Sequence, residues 1–370
     1  MRVRIESGII QSIETEDRSN LFLTKQIKYV AEKNKNIPIS DSTTTPSGTY
    51  PGADAFIGGV LLPDGRVFCV PYNSTSARIY DPVTDTLTIP SGTYPGGAAF
   101  QGGVLLPDGR VFCVPGGSTS ARIYDPVSDT LTTPTGTYPG SNAFVGGVLL
   151  PDGRVFCLPL NSTSARIYDP VSDTLTTPTG TYPGSTAFNG GVLLPDGRVF
   201  CVPRNSTDAR IYDPVSDTLT TPSGTYPGAS AFIGGVLLPD GRVFCVPFSS
   251  TSARIYDPVS DTLTIPSGTY PGTDAFAGGV LLPDGRVFCV PSGSTSARIY
   301  DPVTDTLATP SGTYPGAGAF QGGVLLPDGR VFCVPSGSTS SRILSGNFSK
   351  FNNENQFPRQ VLLSGFLNKL

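Results

Sequence analysis

The sequence predicts an all-β protein, a seven-bladed β-propeller in which each blade is a four-stranded sheet. The heptapeptide PDGRVFC occurs seven times, first at Pro63 and last at Pro327, and each copy follows the previous one after 44 residues. A unit of that length that contains four short strands cannot bury both faces of its sheet alone, so it must stack on similar units. The 44 glycines and 36 prolines agree with frequent turns between strands.

The first full unit shows how each strand is recognised. It contains strand A at 55–62, a tight turn at 63–65, strand B at 66–70, strand C at 77–80, an Asp-Pro turn at 81–85 and strand D at 86–89. Strands A and B are apolar on both sides, because each blade lies between two others. The pair Gly58 and Gly59 predicts that strand A is innermost, where the backbones of the blades converge.

The phrases LLPDGRVF and ARIYDPVTDT recur through residues 46–344 and resemble the repeats of Kelch and galactose-oxidase-like propellers. The resemblance implies the same fold. Two positions depart from the family pattern: its Gly-Gly after strand B is here Val70-Pro71, and its Trp before strand D is Leu87. The copper and radical chemistry of galactose oxidase needs histidine ligands, and this chain has no histidine. The resemblance therefore implies no oxidase activity for this chain.

The two ends of the repeat array predict how the ring closes. Unit seven lacks the stretch YDPVTDTLT and therefore its strand D, whereas residues 40–46 match the strand D of the other units. The last blade is predicted to combine three C-terminal strands with one N-terminal outer strand, which leaves no open sheet edge at the junction. The chain then divides into an N-terminal anchoring tail at 1–39, a propeller at 40–346 and a C-terminal anchoring tail at 347–370.

The tails carry the only sequence outside the repeats. Residues 2–13 predict a strand, residues 19–31 an amphipathic helix, and residues 361–367 an apolar patch. Their apolar side chains include Leu23, Ile27, Val30, Leu362 and Phe366. Such segments either dock on the propeller or insert into a protein partner, and the second alternative suits a subunit of a larger assembly.

Charge and cysteine usage narrow the classes of partner and compartment. A net charge of −4 without a basic stripe argues against a nucleic-acid partner, and no stretch is long enough to span a bilayer. The seven cysteines hold one place in strand B of each blade, too far apart for disulfides, so we expect buried free thiols. Free thiols and an N-terminus without a signal-like apolar core favour a virion or a cytoplasmic assembly.

The sequence lacks the residue combinations that catalysis or metal binding would need. The sequence shows no nucleophile–base pair, no phosphate-binding loop and no metal-ligand cluster, and without histidine the commonest general base is absent. Asp81 and Asp85 fit ordinary turn capping rather than a cation site. We therefore expect no catalysis, no metal and no cofactor, although a hydrolase or oxidase with an unrecognised site stays an alternative.

Comparison of the seven units within the chain places nearly all variation at positions 53, 54, 57, 72 and 73 of the first unit and their equivalents. The D–A and B–C connections of an A-B-C-D meander lie on one face of the disc, so these positions share one face, here called the varied face. The opposite, constant face carries the repeated turns at 63–65 and 81–85, and both tails should leave from it. The predicted binding residues are Asp54, Ile57, Tyr72, Gln101, Asn142, Leu160, Asn189, Arg204, Phe248, Asp274 and Gln321.

Two explanations of this variation stay open: a contact surface, and drift at tolerant loop sites. A repeated tyrosine also falls on the varied face, where its ring either stacks on sugars or packs between blades. These tyrosines are Tyr50, Tyr94, Tyr138, Tyr182, Tyr226, Tyr270 and Tyr314. The leading hypothesis is a non-catalytic display module of a virion, phage appendage or surface assembly that binds a protein or glycan. The alternative is a carbohydrate-binding lectin with one shallow site per blade.

Overall fold

The computed structural model describes residues 2–6, 9–14, 42–346 and 348, and it confirms the seven-bladed propeller. Within these residues the secondary structure consists of strands, without a helix. None of the described segments has the length and hydropathy of a helix that could cross a membrane. Each blade is an antiparallel sheet in the order A-B-C-D.

The strands recur with the same bounds from blade to blade. At the N-terminus lie β1 (Arg2–Glu6), β2 (Ile9–Glu14) and β3 (Ser42–Thr44). The A strands are β4 (Phe56–Leu61), β8 (Phe100–Leu105), β12 (Phe144–Leu149), β16 (Phe188–Leu193), β20 (Phe232–Leu237), β24 (Phe276–Leu281) and β28 (Phe320–Leu325). The B strands are β5 (Val67–Pro71), β9 (Val111–Pro115), β13 (Val155–Pro159), β17 (Val199–Pro203), β21 (Val243–Pro247), β25 (Val287–Pro291) and β29 (Val331–Pro335).

The two outer strands of each blade are shorter. The C strands are β6 (Arg78–Asp81), β10 (Arg122–Asp125), β14 (Arg166–Asp169), β18 (Arg210–Asp213), β22 (Arg254–Asp257), β26 (Arg298–Asp301) and β30 (Arg342–Ser345). The D strands of blades 1 to 6 are β7 (Thr86–Thr88), β11 (Thr130–Thr132), β15 (Thr174–Thr176), β19 (Thr218–Thr220), β23 (Thr262–Thr264) and β27 (Thr306–Ala308).

Ring closure follows the predicted scheme. Strand β3 pairs antiparallel with β30, with Ser42 opposite Ser345 and Thr43 opposite Leu344, and it supplies the D strand of blade 7. Strand β28 of that blade lies beside β4 of blade 1, so the ring is continuous. Because Ser42 and Ser345 are partners at the constant face, the chain enters and leaves the propeller there, as predicted.

The N-terminal region differs from the single strand predicted at 2–13. Strands β1 and β2 pair antiparallel as a hairpin, with Arg2 opposite Glu14 and a register shift after Arg4. The alternation of side chains predicted extended structure correctly, but it could not show that the two strands run in opposite directions. The predicted helix at 19–31 lies outside the described residues, as do the tail residues Leu23, Ile27, Val30, Leu362 and Phe366.

A repeated aromatic contact holds neighbouring blades together. The Phe68 ring of blade 1 stacks on the Tyr124 ring of blade 2 with centroids 5.0 Å apart, and this pair recurs at six of the seven interfaces. Cys113 belongs to the same apolar cluster and is fully buried. Burial raises the pKa of its thiol to about 12, so the thiol stays protonated and inert at neutral pH. The prediction of buried free cysteines is confirmed.

The interface between blades 6 and 7 lacks this aromatic pair and contains Leu344 and Phe348 instead. Leu344 stands where the other blades carry the stacking tyrosine, and Phe348 joins the same cluster as Phe288. Phe348 is 1% exposed, and the guanidinium carbon of Arg286 lies 5.7 Å from the centre of its ring. The propeller core therefore extends beyond the predicted boundary at residue 346, because Phe348 supplies apolar volume that a tyrosine supplies elsewhere.

Candidate functional site

Backbone hydrogen bonds connect the loops of the varied face to one another. The Tyr72 N–H in the B–C loop of blade 1 donates to the Ala55 carbonyl of the same blade over 2.8 Å. The Ala99 N–H at the start of blade 2 donates to the Tyr72 carbonyl over 3.2 Å. The first of these bonds recurs in all seven blades, and the second recurs at every junction except that between blades 3 and 4. The structure thus brings positions 53, 54, 72 and 73 together, as the meander predicts.

A β-bulge in strand A turns position 57 toward the same surface. Phe56 pairs with Pro71 and Gly59 with Cys69, so Ile57 and Gly58 together oppose one residue of β5. Bulges of this kind bend a strand and redirect a side chain. The same register shift occurs in every blade, and sequence analysis found the glycines without finding this bulge.

The bulge glycines also show how closely the blades approach at the axis. At six of the seven positions equivalent to Gly58, an added Cβ would lie 2.7–3.7 Å from the Cα of the corresponding glycine in the next blade. The tightest is Gly190, where the distance to the Gly234 Cα would be 2.7 Å. Strand A is therefore innermost, and its bulge places position 57 beside the axis.

Blade 2 shows how three of the varied positions touch one another. A Cβ at Gly116 would lie 2.7 Å from Cγ of Gln101, so the side chain at position 72 faces that at position 57 of the same blade. The Gln101 amide donates to Oδ1 of Asn142, position 54 of blade 3, over 3.1 Å. Positions 57, 72 and the next blade's 54 therefore form one continuous patch around the axis.

The D–A connections hold residues in a conformation that side chains disfavour. Gly272, Thr273 and Asp274 have φ angles of 70°, 43° and 54°, three left-handed residues in succession. A left-handed conformation costs a non-glycine residue about 1–2 kcal/mol, and a β-branched residue such as Thr273 fits it worst. The equivalents Gly97 and Gly318 show that glycine is accepted there.

Replacing Thr273 by glycine should stabilise the fold, because glycine adopts this φ without the steric cost. We expect a gain on the order of 1 kcal/mol in the free energy of unfolding, after allowing for the greater freedom of glycine in the unfolded chain. Urea denaturation measures it. Thr84→Gly, at an exposed turn residue outside the left-handed set, serves as the control and should not stabilise. Equal or lower stability of the Thr273 variant would show that its backbone is not strained.

The predicted binding residues differ in how much surface they present. Asp54 and Asp274 are exposed, and the half-buried residues are Ile57, Tyr72, Asn142, Asn189, Arg204, Phe248 and Gln321. Gln101 is 7% exposed because Asn142 covers its amide. Leu160 is 5% exposed and packs with Val145 in the core of blades 3 and 4. Leu160, a predicted binding residue, therefore presents little surface to a ligand, since its neighbour at position 57 is also apolar and the two bury each other.

Of the two alternatives for the repeated tyrosines, the structure shows packing between blades. The residues Tyr50, Tyr94, Tyr138, Tyr182, Tyr226, Tyr270 and Tyr314 are each 1% exposed. The Tyr50 ring packs edge-on against the Phe56 ring, with the ring centroids 6.1 Å apart. The backbone N–H of Tyr50 donates to the Thr339 carbonyl of blade 7. These tyrosines fill the wedges between blades, because the D–A connection runs inward there, and burial raises their pKa. Their hydroxyls have no hydrogen-bond partner among the described residues.

Arg204 has an unusual environment on the varied face. Its guanidinium carbon lies 5.6 Å from the centre of the Phe248 ring in the next blade. Its Nε is buried and has no hydrogen-bond partner in the described part of the chain. Burial lowers the pKa of Arg204, and the negative charge of Asp274 acts in the opposite direction. Asp274 itself accepts a hydrogen bond of 3.0 Å from the Ser249 hydroxyl.

In the turns of the constant face, charged side chains are engaged in local ion pairs and hydrogen bonds. Arg66 pairs with Asp64 of its own turn at 2.7 Å. Asp81 accepts from the Val83 N–H over 2.8 Å, which caps the C–D turn. Asp129, the equivalent of Asp85 in blade 2, accepts from the Ser91 hydroxyl and N–H and from the Tyr124 hydroxyl, and these bonds lower its pKa despite some desolvation. Within residues 42–346 no group of three His, Cys, Asp or Glu could hold a metal ion.

Comparisons with known proteins support the fold alone. No protein-family model and no curated protein sequence matches the chain. The virginiamycin B lyase of Staphylococcus aureus is similar in structure, with a TM-score of 0.66 and 11% sequence identity over 83% of this chain and 99% of the lyase. A streptogramin B lyase gives 0.68 and 12% over 82% and 98%. A fungal alcohol oxidase of the AA5 family, in complex with copper, gives 0.62 and 14% over 84% and 77%.

Proposed function

We propose that this protein is a non-catalytic interaction module that displays the varied face to a protein or glycan ligand. The observation that carries the proposal is the separation of two functions on one disc. The varied positions meet around the axis on one face, whereas Ser42 and Ser345 place both chain exits at the other. Such a module suits a subunit of a larger assembly, such as a virion, phage appendage or surface structure, that the tails anchor through protein partners.

The absence of enzyme activity is part of the proposal, because the fold by itself hosts enzymes. The lyases and the oxidase that resemble this chain are enzymes on propellers. A variant of the S. aureus lyase in which alanine replaces one histidine is catalytically inactive, and this chain contains no histidine. The chain therefore cannot share chemistry that depends on a histidine. A place among Kelch-like propellers is proposed on the repeated phrases LLPDGRVF and ARIYDPVTDT.

The lectin alternative takes a different form once the repeated tyrosines are excluded. The aromatic side chains left at the varied positions are Tyr72 and Phe248, both half-buried. They stand on blades 1 and 5, so one shallow site per blade has no repeated aromatic platform. A lectin of this fold would bind its sugar at the few blades that carry such a residue.

The proposal is tested with a variant, here called the erased variant, in which varied residues are replaced by residues that another blade carries at the same positions. Blade 6 carries Ala277 and Ser292 at positions 57 and 72, so the erased variant combines Ile57→Ala, Tyr72→Ser, Asn189→Ala, Arg204→Ser, Ile233→Ala and Phe248→Ser. A control on the constant face combines Val171→Ser, Val215→Ser and Val259→Ser, whose wild-type side chains are 90–94% exposed.

Fluorescently labelled proteins are applied to arrays of immobilised glycans and proteins after their melting curves confirm folding. We expect saturable binding by the wild type and the control, and its loss in the erased variant. Equal binding by the erased variant, or loss in the control alone, would contradict display of the varied face.

A further inference from the structure

Arg204 is the one cation among all residues at positions 53, 54, 57, 72 and 73 of the seven blades, where the acids are Asp54 and Asp274. None of the salt bridges within residues 42–346 includes it. Every repeated arginine of the A–B turns, by contrast, is paired with the aspartate of its own turn. Arg204 is therefore a charged group on the varied face whose Nε has no hydrogen-bond partner, and whose guanidinium has no salt bridge, within the part of the chain that the structure describes.

A missing partner at Nε is unfavourable. A buried donor without a partner loses its hydration without gaining a bond, and the loss is larger when the group is charged. Nε of Arg204 is such a donor, and the guanidinium lies against the Phe248 ring, an arrangement that orients its plane. An oriented guanidinium presents two parallel N–H donors, the geometry that a carboxylate accepts.

Besides the Phe248 ring, amides and hydroxyls lie in this sector of the varied face. By the contacts seen in blade 2, the side chain at position 72 faces position 57 of its own blade, which is here Asn189. Position 57 in turn contacts position 54 of the next blade, which is here Ser230. Asn205 accepts from the N–H of Ser230 over 2.7 Å and from its hydroxyl over 3.2 Å. The Ala231 N–H donates to the Arg204 carbonyl over 2.9 Å, which fixes the loop. Such groups complement the hydroxyls of a sugar better than an apolar side chain of a peptide.

We propose that Arg204 and Phe248 form a subsite for the carboxylate of an acidic oligosaccharide, such as one that ends in a carboxylated sugar. The guanidinium binds the carboxylate with two parallel hydrogen bonds. The polar side chains of blades 4 and 5 bind the hydroxyls, and the carboxylate of Asp274 beyond them is a further acceptor. This inference rests on the proposed display function and names the ligand class for one sector of the varied face.

The experiment uses the full chain on a glycan array that holds each oligosaccharide in two forms, with a terminal carboxylated sugar and with its neutral counterpart. The variants are Arg204→Ser, the residue that blades 6 and 7 carry at this position, together with Arg204→Lys and Phe248→Ser. The control, Arg242→Gln, removes one positive charge from the constant face. Titration calorimetry with the best carboxylated oligosaccharide then gives the dissociation constants.

We expect the wild type to prefer carboxylated glycans, and Arg204→Ser to weaken that binding roughly ten- to hundredfold, as loss of a charge-assisted hydrogen bond does. Arg204→Lys should recover part of the affinity, because it keeps the charge and loses the paired donors. The Arg242→Gln control should bind as the wild type does.

Equal binding of neutral and carboxylated glycans, or unchanged binding by Arg204→Ser, would overturn the subsite. If binding then depends on Tyr72 or Ile57, the display function survives and the acidic ligand alone is rejected. Binding of acidic peptides in place of glycans on the protein array would also reject the glycan assignment. No binding that responds to any varied position would reject both proposals.

Discussion

Replacing Phe348 by alanine should lower the free energy of unfolding by about 3–5 kcal/mol, the usual cost of removing a buried phenylalanine ring. Phe348 is 1% exposed in the cluster between blades 6 and 7, and it lies beside Arg286. No stacked tyrosine compensates there, because blade 7 carries Leu344 at that position. Urea denaturation followed by circular dichroism measures the loss.

The other six interfaces suggest a rescue experiment. Leu344→Tyr introduces the ring that stacks on a phenylalanine elsewhere, as Tyr124 does on Phe68. Alone it should destabilise, since Phe348 already fills the space, but with Phe348→Ala it should recover at least half of the lost stability through a favourable coupling. Removal of residues 350–370, which keeps Phe348, is the control and should leave the stability of the propeller unchanged. A double variant no more stable than Phe348→Ala would show that the two side chains do not share one space.

Removal of residues 1–45 should be the second large perturbation, because it deletes β3, the outer strand of blade 7. Strand β30 then presents unpaired backbone groups at an open edge, which other copies of the chain can pair with. We expect a loss of roughly 3–5 kcal/mol, and a melting temperature lower by about 10 °C at some 2–4 °C per kcal/mol. Size-exclusion chromatography should show self-association.

The matched control for this deletion removes residues 1–36 only, which keeps β3 and its pairing with β30. The protein without residues 1–36 should have the melting temperature of the full chain and should elute from the size-exclusion column at the volume expected for a single copy. If both truncations behave alike, the N-terminal strand is not what closes the ring, and the apolar cluster of blades 7 and 1 around Tyr80 and Phe332 holds it alone.

Most of the fold could be predicted from the repeat. The 44-residue step gives the number of blades, the turn at 63–65 gives the A–B hairpin, and the missing strand D of unit seven gives the closure by residues 42–44. These features are local, because each depends on a few adjacent residues and on the number of times they recur. Phe348 escaped prediction because it follows the last recognisable strand in a polar stretch, and its burial depends on the absence of a tyrosine at position 344, where Leu344 lies in the cluster of Phe288.

The candidate site could be predicted only in part. The variation placed Tyr72, Arg204 and Phe248 on one face, and the connectivity of a meander is enough for that. The burial of Leu160 and of the repeated tyrosines could not be predicted, because a face assignment does not say whether a side chain points to solvent or into the wedge between blades. The strain at Thr273 was not foreseen, since φ angles follow from how a connection must turn between two fixed strands.

The sequence by itself determined the number of blades, their strands, the closing strand and the two faces of the disc. All of these follow from the periodicity of the repeat and from the direction of the chain, which can be read along the linear sequence without knowledge of contacts. Only the tertiary structure decided which side chains are available to a ligand. Exposure depends on what the neighbouring blade places opposite each residue: Val145 covers Leu160, whereas Phe248 supports Arg204 without satisfying its donors.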